Sequence, residues 1–256
     1  GYYQDSWQAQ LAAAQETYLE MAGLKPGMAV LETACGTGMV TRRIADQVGA
    51  TGRVLATDLS GEMIAILSRE LAAGRLDNVR TARMGAEALD VDDDSFDAAI
   101  CALGLMYVPE PRTALAEMAR ALRPGGQVVA TIWGERRNCG WAEIFPIVDA
   151  HVASEVCPMF FASGAPGLLV ADFASVGLVN IRERRQTEQL AFSDANSLIR
   201  AVVQGGPVAL AVKRFSEPVL QEVSEQFLAS VADCRQRDGS YLVPGEFVTV
   251  AAELPG

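Results

Sequence analysis

The chain has 256 residues, of which 50% are apolar and 21% charged, and its formal net charge is -11. That composition supplies a sizeable core and excludes a disordered chain. The acidic balance argues against nucleic-acid binding, which rests on Lys and Arg that release counterions, so a small-molecule ligand is expected.

In chain order, the opening "GYYQDSWQAQ" has no methionine, no basic start and no apolar core, so it does not read as a leader and the natural start is expected upstream. It begins an amphipathic stretch with Tyr2, Tyr3 and Trp7, and residues 1–21 are expected to form a lid helix region. Apolar runs at residues 29–34, 53–58, 79–84, 96–103 and 127–133 read as strands. Between them lie helical patterns such as "MVTRRIADQVG" and "GEMIAILSRELAAG", each closed by a glycine suited to a helix end. Over residues 22–133 this alternation predicts right-handed βαβ units on a parallel sheet, with ligand bound beyond the carboxyl ends of the strands.

Residues 134–256 change character. A helix is expected over residues 141–154, then the Pro/Gly loop "CPMFFASGAPGL" and a short helix ending near residue 176. "VNIRERRQTEQLAF" alternates with a period of two and reads as a strand with one exposed face. Helical patterns from 193 to 237 lead through a turn to a last strand, "FVTVAAE". One domain of α/β class is expected, with five parallel strands, two later strands and helices inserted between those two. No apolar run approaches the ~18 residues of a membrane span.

The stretch "VLETACGTGMVTRRIA" carries the ligand signal. Gly36 and Gly38 allow a sharp turn and close approach, and the following helix offers free N–H groups. Asp58 ends the second strand, where a carboxylate can accept both hydroxyls of a ribose. The third position of a dinucleotide fingerprint is Thr41 instead of a small residue. Glu32 puts an acid at the mouth of the turn, which repels a pyrophosphate and suits an ammonium or sulfonium cation. S-adenosylmethionine is the nucleotide that fits.

"VLETACGTG", "RVLATDLSGEMIAIL", "GAEALDVDDDSFDAAICALGLMYVP" and "ALAEMARALRPGGQVVATIW" together resemble the class I S-adenosylmethionine-dependent methyltransferases, in particular the ubiquinone and menaquinone biosynthesis type. The resemblance implies a Rossmann-like, doubly wound, mostly parallel seven-stranded sheet with inserted helices capping the acceptor site. It also implies that Glu32, Gly36 and Gly38 line the methionine and ribose part of the cofactor, that Asp58 holds the ribose and that Leu59 packs on adenine. Gly85, Ala86 and Glu87 border the adenine ring, and Cys101 ends the strand whose carbonyls face the methionine amino group. Where relatives read Gly-Asp-Ala-Glu this chain reads Met84-Gly85-Ala86-Glu87, so the aspartate for the adenine amino group is missing.

Methyl transfer from a sulfonium is an in-line displacement that needs positioning and exclusion of water and requires no metal. The single histidine, His151, lies outside these motifs and reads as a surface or half-buried residue. Tyr107, just after the fourth strand, is the better candidate for a catalytic base. Tyr3, Trp7, Met106, Tyr107, Trp133 and Trp141 are candidate walls of a pocket for a hydrophobic or planar acceptor, although core packing explains them as well. Five scattered cysteines without a CxxC pair read as small buried hydrophobes in a reducing, cytoplasmic setting and offer no metal site. "DVDDDSFD" reads as a solvated turn. Two rivals remain: a nicotinamide-dependent oxidoreductase and a non-catalytic S-adenosylmethionine-binding protein.

Overall fold

The computed structural model describes residues 7–74, 76–152 and 159–256, which leaves Tyr2 and Tyr3 outside. Helix α1 (Ala12–Ala22) precedes β1 (Ala29–Thr33), α2 (Thr41–Val48), β2 (Arg53–Asp58), α3 (Gly61–Gly74) and β3 (Val79–Arg83). Then come β4 (Phe96–Ala102), α4 (Pro111–Arg120), β5 (Leu122–Trp133), α5 (Ile144–Asp149) and α6 (Leu168–Ser175). Strand β6 (Val179–Phe192), α7 (Ala195–Ile199), α8 (Ala209–Val212), α9 (Glu217–Ser230) and β7 (Tyr241–Glu253) complete the chain.

The strands form a 7-stranded sheet in the order β3-β2-β1-β4-β5-β7-β6. Strands β1 to β5 run parallel, and β7 lies antiparallel between β5 and β6. Strand β1 is buried along its whole length because helices cover both faces of the sheet, which is why it reads as a continuous apolar run. Its period of two sends Val30, with Ala98, Ile100 and Val129, to the face covered by Tyr18 of α1 and by Ile44 and Val48 of α2. Leu31, Ala99, Cys101 and Val128 go to the other face, beneath Ala114, Leu115 and Met118 of α4. The order reverses between β1 and β4, and that switch point opens the crevice described below.

The later half departs from the sequence reading in its details. The helix expected over residues 141–154 is a 3-10 turn (Gly140–Glu143) followed by α5, and residues 153 and 154 of the expected span lie outside the described residues. The helical tract after β6 is broken at Gly205-Gly206-Pro207 and again before Pro218, where proline and glycine stop helix propagation. Its first piece is a capping box, with Asp194 accepting from the Ser197 N–H, and it runs into a π-turn over Arg200–Gln204. Strand β7 begins six residues earlier than "FVTVAAE", because Tyr241 to Glu246 pair with β6 beyond the end of β5.

"RERRQ" is not wholly a solvent face. Arg184 pairs with Glu20 of α1 at 2.7 Å. Arg185 is pulled in to Glu246 at 3.1 Å and to the Gly164 carbonyl at 2.8 Å. The charges of β6 also blunt an edge strand that would otherwise template pairing with another chain.

Candidate functional site

The turn after β1 is shaped by left-handed residues: Ala34 at φ 52°, Gly36 at 56° and Gly38 at 86°. A side chain at Gly38 would put its Cβ 2.2 Å from Leu67 Cδ1, so glycine is needed there for close packing as well as for conformation. At Gly36 no atom lies within 4 Å of a built Cβ, which leaves the backbone open to the crevice. Across the switch point Leu103 also has positive φ, at 55°, an uncommon state for a leucine. A Cβ on Gly104 would lie 2.3 Å from Ala34 Cβ, so the two lips of the crevice touch at their base.

Asp58 ties this turn to the end of β2. One carboxylate oxygen accepts from Gly36 N–H and the other from Ser60 N–H, both at 2.8 Å. A carboxylate offers about four lone-pair sites, so about two remain for a ligand.

Glu32 lies within β1, 1% exposed, between Ala56 of β2 and Ile100 of β4. Its Oε2 is buried and has no hydrogen-bond partner among the described residues. Burial pushes its carboxyl up to about 8, against the opposing pull of the Thr41 hydroxyl and with the negative charge of Asp58 adding to the rise. The site therefore holds a buried acid that is mostly neutral at pH 7 until a cation approaches.

Leu59 projects from the end of β2, 70% exposed, and would lie 3.7 Å from a Cβ on Gly85. Met84 N–H donates to the Asp58 carbonyl at 3.1 Å, so the half-buried Gly85, Ala86 and Glu87 follow directly along the rim. Glu87 Oε1 accepts from the Glu110 N–H at 2.8 Å. Cys101 pairs in register with Thr33, next to the turn, and burial pushes its thiol up to about 11. It is a packing group there, not a nucleophile.

The proposed pocket walls separate into two groups. Met106 and Tyr107 lie on a 3-10 turn (Leu105–Tyr107) after β4. Met106 lines a cavity of about 80 Å³ together with Leu105, Val108, Ile132, Phe160 and Ser163. Tyr107 is 43% exposed and packs edge-on against Phe160 at 5.3 Å. Trp7, Trp133 and Trp141 instead pack on one another, with ring centroids 4.8 to 6.1 Å apart, and none is more than 3% exposed. They form an aromatic core that anchors residue 7, whose indole N–H donates to the Ala201 carbonyl at 3.0 Å. Tyr3 lies outside the described residues. His151 is exposed beside Phe215.

Sequence reasoning missed Phe160, Ser163 and the buried Asp172, which accepts from Ser163 and pairs with Arg112 of α4 at 2.8 Å. They come from the least patterned part of the chain.

Residues 30–126 match the model of a family described as a methyltransferase domain. Over that stretch the chain is similar to a methyltransferase domain. It is 35% identical over 128 residues to the ubiquinone/menaquinone biosynthesis C-methyltransferase UbiE of Ectopseudomonas mendocina, covering 50% of each chain. The chain thus spans about half the length of the curated relatives it matches. Among solved structures, the YcgJ protein of Bacillus subtilis superposes with a TM-score of 0.66 at 17% identity, over 97% of this chain and 99% of that one. Phosphoethanolamine N-methyltransferase 2 of Haemonchus contortus gives 0.65 at 15% identity, over 98% of this chain and 56% of that one. At such identities the likeness shows the fold alone.

Proposed function

We propose that the chain is an S-adenosylmethionine-dependent methyltransferase that acts on a small, largely apolar molecule by direct in-line transfer. The observation that carries this reading is the orphaned oxygen of the buried Glu32 carboxyl beneath a glycine turn capped by a second carboxylate. Two acids beneath the turn, with Arg83 beside Asp58 turned to the Leu59 carbonyl at 3.0 Å, suit a nucleoside with a cationic tail and oppose a pyrophosphate. The nicotinamide alternative loses on that ground.

When bound, the cofactor supplies an activated methyl group on a sulfonium. Glu32 gives up its proton and balances the positive charge of the methionine portion. The free acceptor sites of Asp58 take the ribose hydroxyls, while Leu59, Gly85 and Ala86 flank the base. The lips at Ala34 and Leu103 hold the reacting end at the switch point. The apolar cavity beside Met106 and Phe160 receives the acceptor and keeps water away. Tyr107, beside Phe160, is the candidate base where the acceptor must lose a proton. Free thiols at Cys35, Cys101, Cys139 and Cys234 fit a reducing compartment such as the cytoplasm.

The test is methyl transfer from labelled S-adenosylmethionine to a panel of small acceptors graded in polarity. Turnover confined to apolar members supports the reading. Tight cofactor binding with no turnover on any member would favour the non-catalytic alternative.

A further inference from the structure

We propose that Arg120, at the end of α4, is a positioning residue that holds residues 84–95 in the shape that binds adenine. The proposal rests on the S-adenosylmethionine reading above.

Strands β3 and β4 are joined by residues 84–95, which contain no helix and only one isolated bridge, Gly85 to Ala88. Such a segment takes its shape from what its backbone groups bond to. Here two of its carbonyls bond to one guanidinium. Arg120 Nη2 donates to the Leu89 carbonyl at 3.0 Å, and Nη1 donates to the Val91 carbonyl at 2.9 Å and to the Asp93 carboxylate. Nε and Nη2 also form a fork on Glu117, each bond 2.9 Å long.

Glu117 Oε2 accepts from the Leu89 N–H at 3.0 Å in turn, so one ion pair holds both backbone groups of Leu89. The start of α4 holds the same segment again through Glu110 N–H and Glu87. The rim residues 85–87 are thereby strung between Asp58, through Met84, and the two ends of one helix. A lysine cannot replace the clamp, because a compact ammonium lacks the planar fork that reaches two carbonyls and a carboxylate together.

The experiment compares Arg120→Lys and Arg120→Gln with the unmodified chain. Calorimetry reads the affinity for S-adenosylhomocysteine and for 5′-methylthioadenosine, and hydrogen exchange reads residues 86–93 and the turn at 34–38. Both variants should lose about tenfold or more for both ligands, since both ligands carry adenine. Exchange should accelerate in 86–93 and stay unchanged in 34–38. A folded Lys variant within about twofold of the unmodified affinity would overturn the proposal, as would lost affinity with unchanged exchange. If neither variant folds, Arg120 is a structural residue and the proposal fails. Failure of the unmodified chain to bind S-adenosylhomocysteine would instead sink the cofactor reading itself.

Discussion

Asp58 both closes the glycine turn and offers acceptors to a ligand, so its replacement should show two effects. Asp58→Ala is expected to weaken S-adenosylmethionine binding by about 1.5 to 3 kcal/mol, the scale of hydrogen bonds to a charged group. It should also lower the melting temperature, because the Gly36 and Ser60 N–H groups lose their acceptor. Unchanged affinity by calorimetry would remove Asp58 from the site. Glu32 gives a pH signature. Its carboxyl sits near 8 in the folded chain against an ordinary value of 4.5, so its contribution to stability is full below about 4.5 and is lost as pH rises through about 8. A ligand cation favours the ionised form, so affinity should rise between about pH 6 and 8, with proton release, and level off above. Glu32→Gln should abolish that rise; a flat profile in the unmodified chain would contradict the assignment. Gly85 has no positive φ, and a Cβ there meets Leu59 Cδ1 at an ordinary 3.7 Å. Gly85→Asp is therefore free to supply the missing acceptor for adenine and should tighten binding by about 1 kcal/mol, while tolerance of an inosine analogue should fall. Weaker binding in that variant would mean that the rim already serves the adenine amino group.

Among the elements, the contacts around Glu246 form a unit apart from the glycine turn. Glu246 of β7 holds Arg185 of β6, accepts from the Glu135 N–H at 2.8 Å and accepts from Asn138 at 2.9 Å, so one carboxylate anchors three segments. Glu246→Ala should cost about 1 to 3 kcal/mol by denaturant unfolding, because the Glu135 N–H and Asn138 lose their acceptor and Arg185 keeps only Glu183 at 3.7 Å and the Gly164 carbonyl. Affinity for S-adenosylhomocysteine in that variant should stay within about twofold, and a larger loss would show that cap and turn are coupled. The difference between these units also explains what could be read in advance. Strand β2 and helix α3 follow the expected bounds because their apolar periods are closed by Asp58 and Gly74, local signals that nothing remote overrides. The segment from residue 134 to 178 has no such period. Its shape is set by ring packing around Trp141 and by Arg185 reaching Gly164, contacts between residues far apart in sequence. Glu32, Gly36 and Asp58 were legible because a ligand turn between strand and helix demands those types at that spacing. Phe160 and Ser163 were not, since cavity walls need only bulk and polarity.

At the scale of the whole molecule, the strand order places Glu32, Gly36, Asp58, Gly85 and Met106 at or just beyond the carboxyl ends of the parallel strands β1 to β4. The antiparallel β7 closes the side that carries the cap. In-line transfer needs no Lewis acid, and among the described residues no group of three or more His, Cys, Asp or Glu converges. Activity should therefore survive treatment with a chelator, and loss restored by a divalent ion would overturn a metal-free reaction. The most direct test of the central claim is calorimetric titration of the unmodified chain with S-adenosylhomocysteine and, in parallel, with a nicotinamide dinucleotide. The account predicts one site for the first ligand, weakened about tenfold or more by Asp58→Ala, and no heat of binding for the second. A nicotinamide dinucleotide that binds, or S-adenosylhomocysteine that does not, would contradict it.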